Sequence, residues 1–377
     1  MSLKISEKLQ LGRMVTPIPD RKRPVYNWFQ MKESFSRDLV GLLVETWGLE
    51  KENMVLDPFC GAGTTPLACR EFGLDCVGFD VHPMLLFVSR VKLRDYNVDK
   101  LRSAVHRVVR SKFERVEVEA PGFVSRVFPT SVLEDIAHFR DKIMEVEDEA
   151  IREFMLLGLV SASMQCSWAR KDGAAIKVAR RPVPPLRKAL ERQLMRMCRD
   201  LEHFRTKPSN TTVEHCDARK MRLEDESVGA VITSPPYLRK QEYASVYRIE
   251  QWILGVEGPL AEELIGVRPK GGADENFSEV EEFAKDRPSE VGFYFRDMFS
   301  AIMELYRVCR VGGKVCMVTS DGCLPEGVVE VCVPLSELAE KAGFRAKRVI
   351  VVNKRYCTTP ARKKVGVARE ALLMWEK

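Results

Sequence analysis

The sequence predicts an α/β protein that has an open, mostly parallel sheet, helices on both faces of that sheet and a helical insert. Two observations lead to this fold class. Short apolar runs of strand length alternate along the chain with amphipathic segments of helical period. A glycine-rich turn follows the first of these runs and leads directly into a helical segment. With 377 residues, 45% of them apolar, the chain is long enough to bury a full core.

The first strand–helix–strand unit is predicted between residues 53 and 82. NMVLDPF (53–59) is a short apolar run that ends at an Asp-Pro pair, and proline stops a central strand. CGAGTTPLACREFG (60–73) predicts a glycine turn that runs into a helix, and DCVGFDVH (75–82) predicts a second strand. This order is typical of a parallel sheet.

The second half of the chain continues the alternation. TTVEHCDARKM (211–221) and VGAVITS (228–234) are strand candidates, and the two prolines after the latter must end it. Residues 293–322 predict a long amphipathic helix, a Gly-Gly stop and a buried strand. The closing elements are predicted as a helix over 335–342, a strand over 347–353 and a strand over 369–377.

Two segments interrupt this pattern and divide the chain. We expect a catalytic domain built from residues 1–97, 211–255 and 290–377, a helical basic insert over 98–210, and a surface excursion over 256–289 that is rich in Gly, Pro and acidic residues. From position 170 to 205 the insert carries eleven Lys/Arg against four Asp/Glu, a balance of +7, while the whole chain carries +6. Such a run is either a solvated helix face or a surface that binds a polyanion.

Composition narrows the class of protein. The eleven cysteines form no CxxC pair and no Cys/His spacing suited to zinc, so we expect no metal. No signal peptide and no apolar run near 18 residues is present, which predicts a cytoplasmic protein without a membrane partner. Six Asn and six Gln against 30% charged residues is a balance typical of thermophiles, in which some cytoplasmic cysteines can pair.

A ligand site is predicted at the carboxyl edge of the sheet. The glycine turn in DPFCGAGTT (57–65) and the Ser-Pro-Pro-Tyr loop (234–237) each follow a strand, and the carboxyl ends of parallel strands share one edge. Asp80, at the end of the second strand, is placed to accept hydrogen bonds from ribose hydroxyls. Pro66 occupies the third glycine position of a dinucleotide fingerprint, which argues against a nicotinamide oxidoreductase, and no Lys-Ser or Lys-Thr follows to make a P-loop.

These motifs resemble those of a known family. DPFCGAGTT resembles the cofactor motif of the S-adenosylmethionine-dependent amino-methyltransferases that modify bases. TSPPY resembles their catalytic motif, in the serine form typical of enzymes for the N4 amino group of cytosine. The resemblance implies a Rossmann-like methyltransferase sheet, S-adenosyl-L-methionine as cofactor and nucleic acid as partner. Within nucleic acids, the family resemblance favours DNA. Structured RNA, such as ribosomal RNA, and an inactive nucleic-acid-binding protein are the alternatives.

The resemblance also implies a set of cofactor-binding residues. Starting from Asp57, the glycine motif lines the methionine end of the cofactor, Asp80 binds the ribose, two residues flank the adenine, and an acid meets the adenine amino group. The segment YNWFQMKESFSRDLV (26–40) resembles the family's N-terminal motif near the methionine carboxylate, although Ser36 replaces its usual proline. The residues of the glycine motif are Phe59, Gly61, Gly63 and Thr64, and those that flank the adenine are Val81 and His82. The acid that meets the adenine amino group is Asp217, and the residues of the N-terminal motif are Lys32, Ser34 and Phe35.

Catalysis is assigned, by the same resemblance, to the loop after the strand over 228–234. The Ser234 hydroxyl and the Pro235 carbonyl accept hydrogen bonds from the target amino group, Pro236 stiffens the loop, and Tyr237 stacks on a base that has left the duplex. No Pro-Cys dipeptide occurs, which argues against a ring-carbon methyltransferase. The predicted substrate-binding residues of the insert are Trp168, Arg170, Lys171, Lys177, Arg180 and Arg181.

Overall fold

In the described part of the chain, the strands form an eight-stranded sheet and two small two-stranded sheets. The computed structural model describes residues 3–172, 175–238, 246–268, 278–358 and 364–377. The strands are β1 (Lys4–Glu7), β2 (Val55–Asp57), β3 (Cys76–Asp80), β4 (Ala169–Asp172), β5 (Ala175–Val178), β6 (Thr211–His215), β7 (Val228–Thr233), β8 (Cys309–Ser320), β9 (Gly322–Leu324), β10 (Gly327–Val329), β11 (Arg345–Thr358) and β12 (Lys364–Glu376).

Helices flank the large sheet along most of the described chain. They are α1 (Arg37–Trp47), α2 (Thr64–Phe72), α3 (Pro83–Leu93), α4 (Val98–Val109), α5 (Gly122–Ser125), α6 (Thr130–Met144), α7 (Glu149–Gln165), α8 (Leu186–His203), α9 (Arg248–Leu254), α10 (Glu281–Ala284), α11 (Ser289–Val308) and α12 (Cys332–Ala342). Short 3₁₀ helices span Leu9–Leu11, Pro19–Lys22, Tyr26–Trp28, Ala261–Glu263 and Ser278–Val280.

The large sheet has the strand order β1-β11-β12-β8-β7-β2-β3-β6. Only β12 runs against its neighbours; the other pairings along the order, including β7 with β2 and β2 with β3, are parallel. The chain begins the central part at β2, moves outward to β3 and β6, and then returns to place β7 on the other side of β2. The strand order therefore reverses between β2 and β7, and this is where an open α/β sheet binds its ligands. The predicted fold class is confirmed.

Apolar residues of successive positions on β7 face opposite sides of the sheet. Val231 packs into a core with α11 and α12, whereas Ile232 packs into a second core with α1 and α2. All six residues of β7 are buried, which explains the uninterrupted apolar run in its sequence. The strand ends at Thr233 because the two prolines that follow have no backbone N–H to continue the ladder.

The helical insert shares one apolar core with helices outside it. Phe154 of α7 and Leu190 of α8 belong to the same buried cluster as Leu85 of α3 and Ile253 of α9. The insert therefore packs as a helical layer beside the sheet, and its division from the rest of the chain stays a prediction. In the segment over 256–289, of which 269–277 lie outside the described residues, the side chain of Phe283 is buried against α11.

The prediction that Gly312 and Gly313 end the long helix is wrong. Helix α11 ends at Val308 and β8 begins at Cys309, so Gly312 and Gly313 lie inside the strand. Gly312 has a φ of +76°, a left-handed conformation, close to an irregularity in the pairing of β7 with β8. The glycines bend the start of the strand and do not end the helix. The predicted closing strands are correct in place but shorter than β11 and β12.

Nine cysteines are free and buried, in keeping with small core residues: 60, 69, 76, 166, 198, 216, 309, 316 and 332. Cys323 of β9 and Cys357 of β11 form a disulfide. Among the described residues, no group of three or more His, Cys, Asp and Glu side chains is placed to hold a metal ion. None of the helices in the described part of the chain has the length and apolar content needed to cross a membrane.

Candidate active site

A cleft opens where the strand order reverses. It brings together the loops that follow β2, β3, β6 and β7, together with two short segments from elsewhere in the chain. The lining residues are Met31, Glu33, Pro58, Phe59, Gly61, Asp80, Val81, His82, Leu85, Cys216, Asp217, Ala218, Ser234, Pro236, Glu263, Leu264 and Ile265. Phe59 and Gly61 of the glycine turn and Ser234 and Pro236 of the Ser-Pro-Pro-Tyr loop thus line one cleft, and their role as a shared site stays a prediction.

The glycine turn is held tightly against neighbouring segments. Gly61 has a φ of +50°, and a Cβ there would lie 2.9 Å from the sulfur of Met31. Gly63 has a φ of +81°, and its Cβ would lie 2.9 Å from the hydroxyl oxygen of Ser89. That hydroxyl donates a 2.7 Å hydrogen bond to the Gly61 carbonyl. The turn therefore requires glycine at both positions and exposes its backbone to the cleft.

The carboxylate of Asp80 is fixed by the backbone at the end of β3. It accepts hydrogen bonds of 2.8 Å from the N–H of Gly61 and 2.8 Å from the N–H of His82. Withdrawal from water raises the pKa of this carboxyl, and the two backbone donors oppose the rise. An oriented acceptor at this place suits a ribose hydroxyl. Beside it, the imidazole of His82 lies against the edge of the Tyr247 ring and 3.3 Å from the Gln251 amide nitrogen.

Asp57 does not line the cleft but joins the two strands beneath it. The hydroxyl of Thr233 donates a 2.6 Å hydrogen bond to Asp57 Oδ1, and the N–H of Phe59 donates one of 3.2 Å. Burial raises the pKa of Asp57 to about 7, opposed by hydrogen bonds from Thr233 and Thr65. Thr233 and Thr65 were not predicted as site residues. The sequence signal was a hydroxyl at the end of one strand beside an acid at the end of its neighbour.

The Ser-Pro-Pro-Tyr loop enters the cleft with only part of its length. Ser234 and Pro236 line the cleft, whereas Pro235 is buried and is not among the lining residues. Tyr237 is 9% exposed, does not line the cleft, and donates a 3.0 Å hydrogen bond from its hydroxyl to Oε1 of Glu370 on β12. The Tyr237 side chain is therefore largely buried in this structure. Glu370 was missed because 133 residues separate it from Tyr237.

Asp217 lines the cleft, but an arginine already holds its carboxylate. Nε of Arg219 lies 3.0 Å from each oxygen of Asp217, and the same guanidinium contacts Asp297 at 3.2 Å and donates to the Glu262 carbonyl at 2.5 Å. These bonds hold the chain from Glu262 onward as a wall of the cleft. The interpretation of 256–289 as a surface excursion did not foresee this wall, which lies far from Asp217 in sequence.

Lys32, Ser34 and Phe35, the residues predicted from the N-terminal motif, lie outside the cleft, whereas Met31 and Glu33 of the same motif line it. Phe35 is buried in the core beneath α1, and the exposed Lys32 donates from its ammonium group to the Lys171 carbonyl. Ser34 and Thr64 line a second, smaller cavity, and Gly63 is the residue before α2. Lys32, Ser34 and Phe35 are therefore not in the cleft with Asp80 and Ser234. Ser34 lies with Thr64 in the smaller cavity.

The six residues predicted to bind substrate surround the β4–β5 hairpin. Arg170 and Lys177 are cross-strand partners with exposed side chains. The indole N–H of Trp168 donates to the Arg181 carbonyl at 2.9 Å, and the exposed guanidinium of Arg180 lies 5.4 Å from the indole ring. These contacts shape a basic surface on the hairpin.

Lys171 is the exception among these six residues. Its ammonium group lies 2.5 Å from Glu250 and 4.0 Å from the centre of the Tyr247 ring. Burial lowers the pKa of Lys171, and Glu250 opposes that effect. The Tyr247 hydroxyl in turn donates a 2.9 Å hydrogen bond to Glu33, which lines the cleft. Lys171 therefore anchors the hairpin beside the cleft and is not exposed for phosphate.

No family model matches this chain, but several known proteins are similar to it in sequence. The chain is 22% identical to the type II methyltransferase M.BsoBI of Geobacillus stearothermophilus, over 97% of this chain and 88% of that protein. It is 22% identical to the type II methyltransferase M.AvaI of Nostoc sp., over 88% of this chain and 82% of that one. The match to a solved SAM-dependent methyltransferase from Methanosarcina mazei covers 89% of this chain and 96% of that chain, at 10% identity and with a TM-score of 0.33. The chain is thus similar over nearly its full length to type II methyltransferases.

Proposed function

We propose that this chain is an S-adenosylmethionine-dependent DNA methyltransferase that acts on the N4 amino group of cytosine. The observation that carries the proposal is the one cleft that Ser234 and Pro236 share with Asp80 and the glycine turn, at the reversal of strand order. Similarity to type II methyltransferases along 97% of the chain supports methyl transfer to DNA.

S-adenosylmethionine is the cofactor that fits the cleft. Asp80 offers a fixed acceptor for ribose hydroxyls, and Gly61 lets a ligand approach the backbone because it has no side chain. Val81, His82 and Leu85 supply an apolar and aromatic surface for a planar base beside that acceptor. The bound cofactor supplies an electrophilic methyl group on sulfur.

The catalytic loop activates the target nitrogen without a covalent intermediate. The lone pair of an exocyclic amino group is delocalised into its ring, which makes the nitrogen a poor nucleophile. The Ser234 hydroxyl and the Pro235 carbonyl accept hydrogen bonds from the amino hydrogens and so favour a pyramidal nitrogen with developing positive charge. Because Thr233 is tied to buried Asp57, the strand end that carries Ser234 is fixed relative to the glycine turn.

Cytosine in DNA is the target that the motif and the relatives favour. Serine at position 234 is the form typical of the N4-cytosine enzymes within the family that the motif resembles, and type II methyltransferases are the relatives. A base in a duplex must leave the stack to enter a cleft of this kind. The exposed Arg170, Arg180 and Arg181 of the hairpin contact phosphates, which carry charge but no sequence. RNA has the same phosphates, so the product nucleoside decides between the two.

The experiment measures transfer of a labelled methyl group. Wild type is incubated with labelled S-adenosylmethionine and either duplex DNA or total RNA, and the nucleosides are separated after digestion. We expect label in N4-methyldeoxycytidine. Label in an N4-methylated cytidine would assign the enzyme to RNA, label in N6-methyladenine would contradict the cytosine assignment, and no label would contradict the methyltransferase.

Ser234→Ala tests the catalytic loop. Loss of one acceptor at the reacting nitrogen should lower kcat about 100-fold and leave cofactor affinity unchanged. Ser227→Ala is the matched control, because Ser227 lies exposed before β7 and donates to the nearby Glu224 carbonyl. Equal activity of Ser234→Ala and Ser227→Ala would remove the Ser-Pro-Pro-Tyr loop from the mechanism.

A further inference from the structure

A second cavity borders the same glycine turn as the cleft. Met31 lines both spaces. Its polar lining includes Asp20, Ser34, Thr64 and Lys92. A ligand that starts at Asp80 and crosses the turn beside Met31 would end among these groups. Two of them, Ser34 and Thr64, were predicted to bind the methionine end of the cofactor; Asp20 and Lys92 were not.

Lys92 is a buried cation at the end of α3. Its side chain is 94% buried, since the residue is only 6% exposed, and its ammonium group donates hydrogen bonds to the carbonyls of Phe29 at 3.2 Å and Ala62 at 3.1 Å. Burial lowers the pKa of Lys92 to about 7, and the nearby Asp20 opposes that effect. The Phe29 and Ala62 carbonyls are neutral, so an anion delivered to this cavity would restore the charged form.

Asp20 places an acid in the same cavity. It is 6% exposed, accepts a 2.9 Å hydrogen bond from the N–H of Arg37, and pairs with Arg23 at 3.2 Å. Burial raises the pKa of Asp20, and the Arg37 N–H and Arg23 oppose the rise. One acid and one amine in a single small cavity complement a zwitterion that carries an ammonium group and a carboxylate on neighbouring atoms.

We propose that Lys92 binds the α-carboxylate, and Asp20 the α-ammonium group, of the methionine moiety of S-adenosylmethionine. This inference rests on the proposed function, because it names the contacts of that cofactor. Among the described residues that line either space, Lys92 is the one Lys or Arg. Lys32 and Phe35, which the sequence motif suggested for the carboxylate, line neither space.

Three ligands distinguish the contact proposed for Lys92 from the one proposed for Asp20. S-adenosylmethionine has both groups, its decarboxylated analogue keeps the ammonium group alone, and 5′-methylthioadenosine has neither. Their dissociation constants are measured by calorimetry for wild type, Lys92→Gln, Asp20→Asn and the control Lys51→Met, a change of an exposed lysine in the turn after α1. Glutamine at position 92 keeps N–H donors for the Phe29 and Ala62 carbonyls but has no charge.

The expected pattern differs between the variants. Lys92→Gln should weaken S-adenosylmethionine about 10- to 100-fold, as for loss of a charged hydrogen bond, and leave the other two ligands unchanged. Asp20→Asn should weaken the two ligands with an ammonium group by a similar factor and spare 5′-methylthioadenosine. Lys51→Met should match wild type for all three ligands.

Other outcomes overturn the inference. If Lys92→Gln weakens all three ligands equally, Lys92 only holds Phe29 against the glycine turn; if it changes none, Lys92 does not contact the cofactor. Should Lys92→Gln fail to fold, Lys92→Met replaces it, and equal affinity of wild type for S-adenosylmethionine and its decarboxylated analogue would also reject the inference. Wild type that binds none of the ligands would instead reject the proposed function.

Discussion

Replacing Asp57 with asparagine should stabilise the protein at neutral and alkaline pH relative to acidic pH. Asp57 is 2% exposed, and burial raises the pKa of its carboxyl to about 7 even though the Thr233 hydroxyl donates to it at 2.6 Å. Asparagine keeps an oxygen that accepts this hydrogen bond, but it cannot ionise. The comparison of the two proteins therefore isolates the free-energy cost of a buried negative charge between β2 and β7.

The sign follows from the two protonation equilibria of Asp57. Its pKa of about 7 in the folded protein lies above its ordinary value of 3.8, so the folded state binds the proton more tightly than the unfolded chain. The stabilisation from the protonated acid is complete below about pH 3.8, falls as the pH rises and is lost above about pH 7. The difference between the two pKa values corresponds to at most roughly 4 kcal/mol.

Urea unfolding of wild type and Asp57→Asn at about pH 5, pH 7 and pH 8.5 measures this difference. Between pH 5 and pH 7 the free energy of unfolding should shift by roughly 2 to 3 kcal/mol in favour of the variant and then stay constant. Asp99→Asn is the control, because Asp99 is exposed in the first turn of α4 and should give a nearly constant difference. A difference that does not change with pH for Asp57→Asn would refute the reasoning.

Three further predictions concern the disulfide, the hairpin and the tyrosine. Cys323→Ser opens a link across 34 residues and should lower the free energy of unfolding by about 3 to 4 kcal/mol, an effect that a reducing agent reproduces in wild type alone. Arg180→Ala should weaken binding to duplex DNA and lower the dependence of log affinity on log salt concentration by about one. Lys171→Met should leave that dependence unchanged and reduce stability, because the charge of Lys171 is paired with Glu250. Glu370→Ala should reduce stability by about 1.5 to 3 kcal/mol and leave cofactor affinity, measured by calorimetry, unchanged; weaker cofactor binding would place Glu370 in the site.

The part of the site that follows strand ends was accessible from sequence. Proline after an apolar run locates the end of β7, and the carboxyl ends of parallel strands meet at one edge, so Ser234, Asp80 and Gly61 had to lie close together. The reversal of strand order between β2 and β7 then brings their loops into one cleft. None of these steps requires knowledge of a side-chain contact.

The contacts that close the site were not accessible, because each depends on distant parts of the chain. Arg219 donates to the carbonyl of Glu262, which lies 43 residues further along the chain. Lys92, in the last turn of a helix, has the sequence context of a surface cation, and its burial follows from the packing of Phe29 and Ala62 around it. Local patterns record the period of an element but not the partner of a polar side chain.

The covered position of Tyr237 is energetically compatible with a role in stacking. Its ring can meet a base only if its hydroxyl leaves Glu370, and a hydrogen bond to a charged acceptor contributes about 1.5 to 3 kcal/mol. Stacking of a base on an aromatic ring contributes about 1 to 3 kcal/mol. Because the two contributions are of similar size, an arriving base can replace the bond to Glu370 at little net cost. The ring would then stay out of water until a base enters the cleft, so we expect its exposure to depend on the nucleic acid and not on the cofactor.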